Sequence, residues 1–172
     1  MEPFRILISL IGIIIFSFGC TGSPSQKTPD ITDNTPPDIH FKITNVLPHD
    51  SISYTEGLFF HGSSNICYRD PSDFRIIKTL SVHDNNGPVQ NLNELELIHG
   101  FLYSNQWLTN YILKIDTSSG RVVGRMDLSA LKKEAKIKYP FAEETNGIAF
   151  DSATNRIYVT GKKWPVIYEI AE

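Results

Sequence analysis

The chain has 172 residues, and its 16 Lys and Arg against 19 Asp and Glu leave a net charge of −3 at neutral pH. That small, dispersed charge forms no basic stripe and leaves nucleic-acid binding without support. Two cysteines cannot build a disulfide framework, and no His/Cys spacing matches a metal site.

Residues 1–20 carry Arg5 and then an apolar run over residues 6–18. The run is shorter than the roughly 20 residues a membrane span needs, and fits the core of a secretory signal. It ends at Ser17-Phe18-Gly19-Cys20, a small residue before Cys that resembles a bacterial lipobox, with Ser17 where Leu is usual. Cys20 is therefore the predicted lipidation site. An ordinary signal peptide or an uncleaved anchor is the alternative. The expected location is the bacterial cell envelope, lipid-anchored, in the periplasm or at the cell surface. Residues 21–38 follow, with four of the ten prolines and Ile31 as the one large apolar side chain. Such a segment cannot bury enough surface to offset its ordering entropy, so it reads as a disordered tether.

Residues 39–172 have the size of one domain. Residues 41–47 alternate apolar and polar, and short runs rich in β-branched and aromatic residues follow at 56–60, 65–69 and 74–82. Cys67, in one such run, is expected to be an inert buried residue. Residues 94–116 and 147–170 then repeat one pattern: Tyr103 matches Tyr158 and Ile112 matches Ile167, both at an offset of 55. A third copy is damaged. Residues 56–62 align with 94–100 at an offset of 38, but residues 66–70 align with 112–116 at an offset of 46. Eight residues are thus missing between Gly62 and Ile66, where the other copies carry their second strand. Leu128, Leu131 and Ala135 are spaced as in a short surface helix.

Multi-stranded repeats of about 40 to 50 residues indicate an all-β fold, a β-propeller. The domain holds about three blades' worth of chain at about 40 to 45 residues per blade, against the usual minimum of four. The last copy supplies three strands, and residues 41–47 supply a spare one that would close or part-close the ring. An open ring leaves strand edges available for self-association.

The first strand of each blade lines the central channel, and the chain places polar groups at its start in every copy: Thr55-Glu56-Gly57, Asn93-Glu94 and Thr145-Asn146-Gly147. They form a ring of donors and acceptors, or serve as turn residues and strand caps. Trp107 and Trp164 are read as ending the second strands, where large aromatics commonly pack between blades. Lys162 lies beside a turn, where a lone lysine is usually solvated. His61 and His99 share one turn position and read as structural.

Taken in order, Pro48-His49-Asp50, Tyr54-Thr55-Glu56-Gly57-Leu58, Asn91-Leu92-Asn93-Glu94-Leu95-Glu96, Ser104-Asn105-Gln106-Trp107, Asn146-Gly147-Ile148-Ala149-Phe150-Asp151 and Thr160-Gly161-Lys162-Lys163-Trp164-Pro165 resemble the plant-type glutaminyl-peptide cyclotransferases, a family with bacterial members that are often secreted or lipid-anchored. The resemblance implies a five-bladed propeller. It implies an acyltransferase that converts the N-terminal Gln of peptides to pyroglutamate and releases ammonia, with no metal or cofactor. By the same resemblance Asn93 is the channel Asn that hydrogen-bonds substrate, Trp107 a pocket aromatic and Lys162 the channel Lys. Glu56 stands where the family has Gln or Glu, and Tyr54 where it often has Phe; Tyr54 and Asn146 are expected to contact substrate. The family's proton-shuttling Glu, in a Gly-Glu-Gly turn of the second blade, and its second pocket Trp have no counterpart. The expectation is an impaired cyclotransferase in which Glu56 takes up proton transfer. The alternatives are a non-catalytic propeller-like binding lipoprotein or a decayed or mis-assembled gene product.

Overall fold

Two four-stranded antiparallel sheets, one a meander and the other a three-strand meander completed by the first strand of the domain, dominate the computed structural model, which describes residues 34–49 and 64–172. The expected signal, Cys20, most of the tether, Tyr54, Glu56 and His61 lie outside the described residues. The described chain belongs to one compact unit, Asp33–Glu172.

The complete blade contains β6 (Leu92–Ile98), β7 (Phe101–Gln106), β8 (Tyr111–Asp116) and β9 (Val122–Asp127), in that spatial order. The last blade contains β10 (Thr145–Asp151), β11 (Arg156–Gly161) and β12 (Val166–Ala171). Its fourth strand is β1 (Lys42–Pro48), paired antiparallel to β12. The predicted closing strand thus takes the predicted place. Its register is that of β9: the ladder of β8 and β9 is irregular between Lys114 and Ile115, and that of β12 and β1 at the equivalent Glu169 and Ile170.

Of the damaged copy, the described residues contain the outer half. β2 (Asn65–Arg69) and β3 (Ile76–Ser81) pair Asn65 with Ser81, as Tyr111 pairs with Asp127, and are irregular after Tyr68, as β8 is after Lys114. The offset of 46 read from residues 66–70 holds across both strands. A short hairpin, β4 (His83–Asp84) and β5 (Gly87–Pro88), leads into the complete blade. The result is all-β and about three blades long, an incomplete propeller.

The tether reaches the domain slightly earlier than expected. Pro37 and Ile39 exchange backbone hydrogen bonds with Arg125, and Asp38 pairs with the Arg125 guanidinium at 2.7 Å. This segment runs parallel to β9 and covers its outer edge, which would otherwise be open to association. Gly124 permits the approach, because a Cβ there would come within 2.6 Å of Ile39.

Two cores hold the sheets. The larger lies between the complete and last blades, where Tyr103, Ile98, Ile148, Val159, Trp164 and Tyr168 are buried. It also takes in α1 (Ser129–Lys138), which docks Leu131 and Ala135 as their spacing predicted. The smaller core joins β2 and β3 to the outer strands of the complete blade through Ile66, Leu80, Leu113, Ile115 and Val122. Each such side chain contributes roughly 1.5–3 kcal/mol on burial.

Turns between strands rest on aspartates. Asp116 accepts hydrogen bonds from the hydroxyls and amides of Ser118 and Ser119, and Asp70, its repeat equivalent, does the same with Ser72. These donors hold both carboxyls below the ordinary carboxylate range, Asp116 at about 2. A depressed folded pKa adds stability above the ordinary value that is lost as pH falls through the folded one. The Asp116 carboxyl should titrate by NMR near pH 2, and normal titration near 3.8 would show the turn is not formed.

The closing strand is fastened by a buried carboxylate. Glu169 accepts from Thr44 Oγ1 at 2.7 Å and from Arg156 at 3.1 Å, tying β1, β11 and β12 together. Glu169→Ala leaves the Thr44 hydroxyl without this acceptor and should cost about 1–3 kcal/mol in urea unfolding. Amide exchange should accelerate selectively over Lys42–Pro48; uniform acceleration would deny β1 a separate fastening.

Candidate active site at the blade junction

Asn93 and Asn146 hold the same repeat position, each one residue before a bulge in an inner strand. The bulge residues are Glu94 (φ 47°) and Gly147 (φ 132°), both with left-handed backbone. At Gly147 a Cβ would also lie within 2.8 Å of Thr160. A bulge turns the strand locally and re-aims the preceding side chain.

The two side chains meet across the junction: Asn93 Nδ2 donates to Asn146 Oδ1 at 2.8 Å, and both residues are buried. Asn105, the cross-strand partner of Asn93, accepts the Gly147 N–H at 3.1 Å. The contacts close a circuit from Asn93 to Asn146, along the chain to Gly147, across to Asn105 and back to Asn93. Within it, Asn93 Oδ1 and Asn105 Nδ2 are buried with no hydrogen-bond partner. An orphan acceptor and an orphan donor on adjacent residues of one sheet face suit a group that offers both, such as an amide or a water molecule.

Lys162 is buried directly beyond this circuit. It follows Gly161, which pairs with Thr145, and its backbone is bracketed by Glu143 N–H and the Glu144 carbonyl, each at 2.9 Å. It is therefore not the solvated lysine that its turn position suggests. The ladder also corrects the reading of the tryptophans. Leu92 pairs with Gln106 as Thr145 pairs with Gly161, so the counterpart of Trp107 is Lys162, not Trp164. Trp107 is half-buried and donates its backbone N–H to Asn91. Trp164 lies two residues further on, fully buried, edge-on to Tyr168 and donating its indole N–H to the Glu143 carbonyl at 3.2 Å.

The structure thus brings Asn93, Asn146, Lys162 and Trp107 to the same end of the inner strands. Asn105 and the backbone of residues 143–144 complete the arrangement. Asn105 stood in the Ser-Asn-Gln-Trp motif, but only the ladder reveals its partnership with Asn93. Among the described residues, no three His, Cys, Asp or Glu side chains stand together as a metal site would require.

Gly161 is the tightest point in this wall: a Cβ there would lie 2.3 Å from the Trp164 indole and 2.6 Å from the Glu144 carbonyl. Gly161→Ala should destabilise the fold by about 1–3 kcal/mol. It should also shift tryptophan emission to the red as Trp164 loses its seat; unchanged emission and stability would refute the close packing.

Residues 60–171 match the glutamine cyclotransferase family. The chain is 34% identical over 110 residues to the glutaminyl-peptide cyclotransferase of Arabidopsis thaliana, a match covering 63% of this chain and 34% of that protein. Its fold resembles the crystal structure of Myxococcus xanthus glutaminyl cyclase with a TM-score of 0.60 and 35% identity, over 64% of this chain and 48% of the other. The chain spans about a third of the plant relative and about half of the bacterial one. Family match, sequence identity and fold agree, and the chain belongs to the glutamine cyclotransferase family.

Proposed function

We propose that this chain is a glutaminyl-peptide cyclotransferase acting at the blade junction. The observation that carries the reading is the orientation of Asn93. Its Nδ2 is engaged by Asn146, which leaves Oδ1 as the atom able to meet a substrate. Asn93 therefore offers an acceptor, suited to an N–H of the substrate's α-amine or side-chain amide rather than to an oxyanion.

The reaction needs the α-amine nitrogen to attack its own side-chain amide carbon. A C–N bond forms, the amide oxygen gains negative charge, a proton passes from the amine to the departing nitrogen, and the original C–N bond breaks to release ammonia. Asn93 Oδ1 orients the amine, which fixes the near-attack geometry. Lys162, as an ammonium, stabilises the developing oxyanion. Trp107 and Tyr54 form the apolar wall, Asn146 holds Asn93 in its working orientation, and Glu56 carries the proton. Peptides with N-terminal Gln are the substrates.

In this reading Cys20 carries lipid, residues 21–38 form the tether with its last residues docked on β9, and the domain works outside the cytoplasmic membrane of a bacterial cell. A second reading, a non-catalytic binding lipoprotein, is favoured by the first blade, of which the described residues contain only the outer half.

Incubation of the purified chain with a Gln-initiated peptide should release ammonia above the spontaneous rate. Glu56→Gln should lower turnover at least 100-fold and Asn93→Ala about 10–100-fold. Cooperative melting without turnover would establish the binding module instead. Replacement of Cys20 by Ser should release the protein from the membrane fraction, and retention there would remove the lipid anchor.

A further inference from the structure

We propose that Glu96 is a further catalytic residue of this site: its carboxylate receives the α-ammonium group of the substrate peptide and removes the proton that keeps the amine from attacking. The inference rests on the cyclotransferase reading and deepens it. Cyclisation needs a free amine, and an N-terminal α-ammonium ordinarily gives up its proton only at about pH 7.7–8.0.

The ladder of β6 and β7 gives the geometry. Asn93 pairs with Asn105, and Glu96 pairs with Tyr103, two residues away along β7. The bulge at Glu94 takes up the extra residue on β6, so Glu96 stands one same-face position from Asn93, about 7 Å along the strand. That face meets the last blade. Ile98 and Tyr103 on it enter the core that Ile148 shares, and Asn105 bonds to Gly147. A group held at Asn93 Oδ1 therefore lies within the reach of the Glu96 side chain.

The repeat shows that the blade itself does not require a carboxylate here. In the last blade the residue paired with Tyr158, the equivalent of Tyr103, is Ala149. An inner hairpin of the same register thus forms with alanine in that place. Glu96 is half-buried, and burial pushes its carboxyl above the ordinary value, which makes it a better proton acceptor. Its surroundings do not compete for the proton. The Tyr103 phenol, across the ladder, is held well above its ordinary pKa and donates to Glu172. Lys114 meets that same Glu172 carboxylate at 3.0 Å, and β10 brings the apolar Ile148 to this face.

Glu96 takes one proton from the α-ammonium, and the neutral amine attacks the side-chain amide carbon. The lactam C–N bond forms, the amide C–N bond breaks and ammonia departs. Protonated Glu96 then gives its proton to the ammonia, which leaves as ammonium and restores the carboxylate. Glu56 keeps the separate task of moving a proton from the attacking to the departing nitrogen.

The test measures ammonia release from a Gln-initiated peptide by the full chain, wild type and Glu96→Gln, across the pH range in which the peptide's amine titrates. At about pH 6 the substitution should lower kcat/KM roughly tenfold or more. At about pH 9.5, where the amine is free without help, the deficit should shrink to about threefold or less. Asn93→Ala removes orientation rather than a proton acceptor, so its deficit should stay the same across this range. Glu96→Ala, which copies Ala149, should keep the wild-type melting temperature and show the same pH-dependent deficit as Glu96→Gln. A wild-type chain that turns over while Glu96→Gln shows no deficit, or one independent of pH, would overturn this role and leave the cyclotransferase reading standing. No ammonia from the wild type at any pH would overturn both.

Discussion

The meeting of Asn93 with Asn146 is the contact on which the channel side of this protein depends. Two primary amides are buried at a blade boundary, where a neutral hydrogen bond adds only about 1 kcal/mol but an unpaired group costs about 1–3. The arrangement is held by the backbone around it. Gly147 directs its N–H to Asn105, and the bulges at Glu94 and Gly147 aim both asparagines at the boundary. The blades are pressed together by an apolar core that includes Tyr103, Tyr168 and Trp164. The polar junction contributes orientation and the core contributes energy, and neither substitutes for the other.

Tyr103 shows how the two levels are joined. Its ring is buried between the blades, and its hydroxyl donates to the Glu172 carboxylate, whose other oxygen meets Lys114 at 3.0 Å. Burial first, and then that carboxylate, raises the phenol well above its ordinary pKa, so the hydroxyl stays a donor at any physiological pH. One residue matched across the repeats thus packs the junction and fastens the last residue of the described chain to the complete blade.

Much of this architecture was legible from spacing. The offset of 55 fixes which second and third strands of the last blade answer those of the complete one, and the offset of 46 matches residues 66–70 to the third strand, β8. Strands at residues 65–69, the helix docked by Leu131 and Ala135, and the closing role of residues 41–47 follow from periodicity, because side-chain alternation and blade order are local facts. The candidate site was legible in part. Asn93, Asn146 and Lys162 stand out as polar groups at repeating positions. The burial of Lys162 and the pairing of Asn93 with Asn105 were not, although the offset of 55 already leads from Trp107 to Lys162 rather than to Trp164. Register across a turn is set by turn geometry, and Cys67, half-exposed rather than buried, was misjudged because burial of one strand depends on a neighbour supplied by another part of the chain.

The closing strand sets an order on folding. The complete blade joins residues close in sequence, and its hairpins can form as they emerge. The Thr44–Glu169 contact spans 125 residues, so its loop-closure entropy is met only once nearly the entire chain is available. Until then the last blade lacks its outer strand, and β12 offers an open edge to any extended segment nearby. The last blade is therefore most exposed to mispairing at the end of folding, and the speed with which β1 returns to β12 decides how much of the protein reaches its native form.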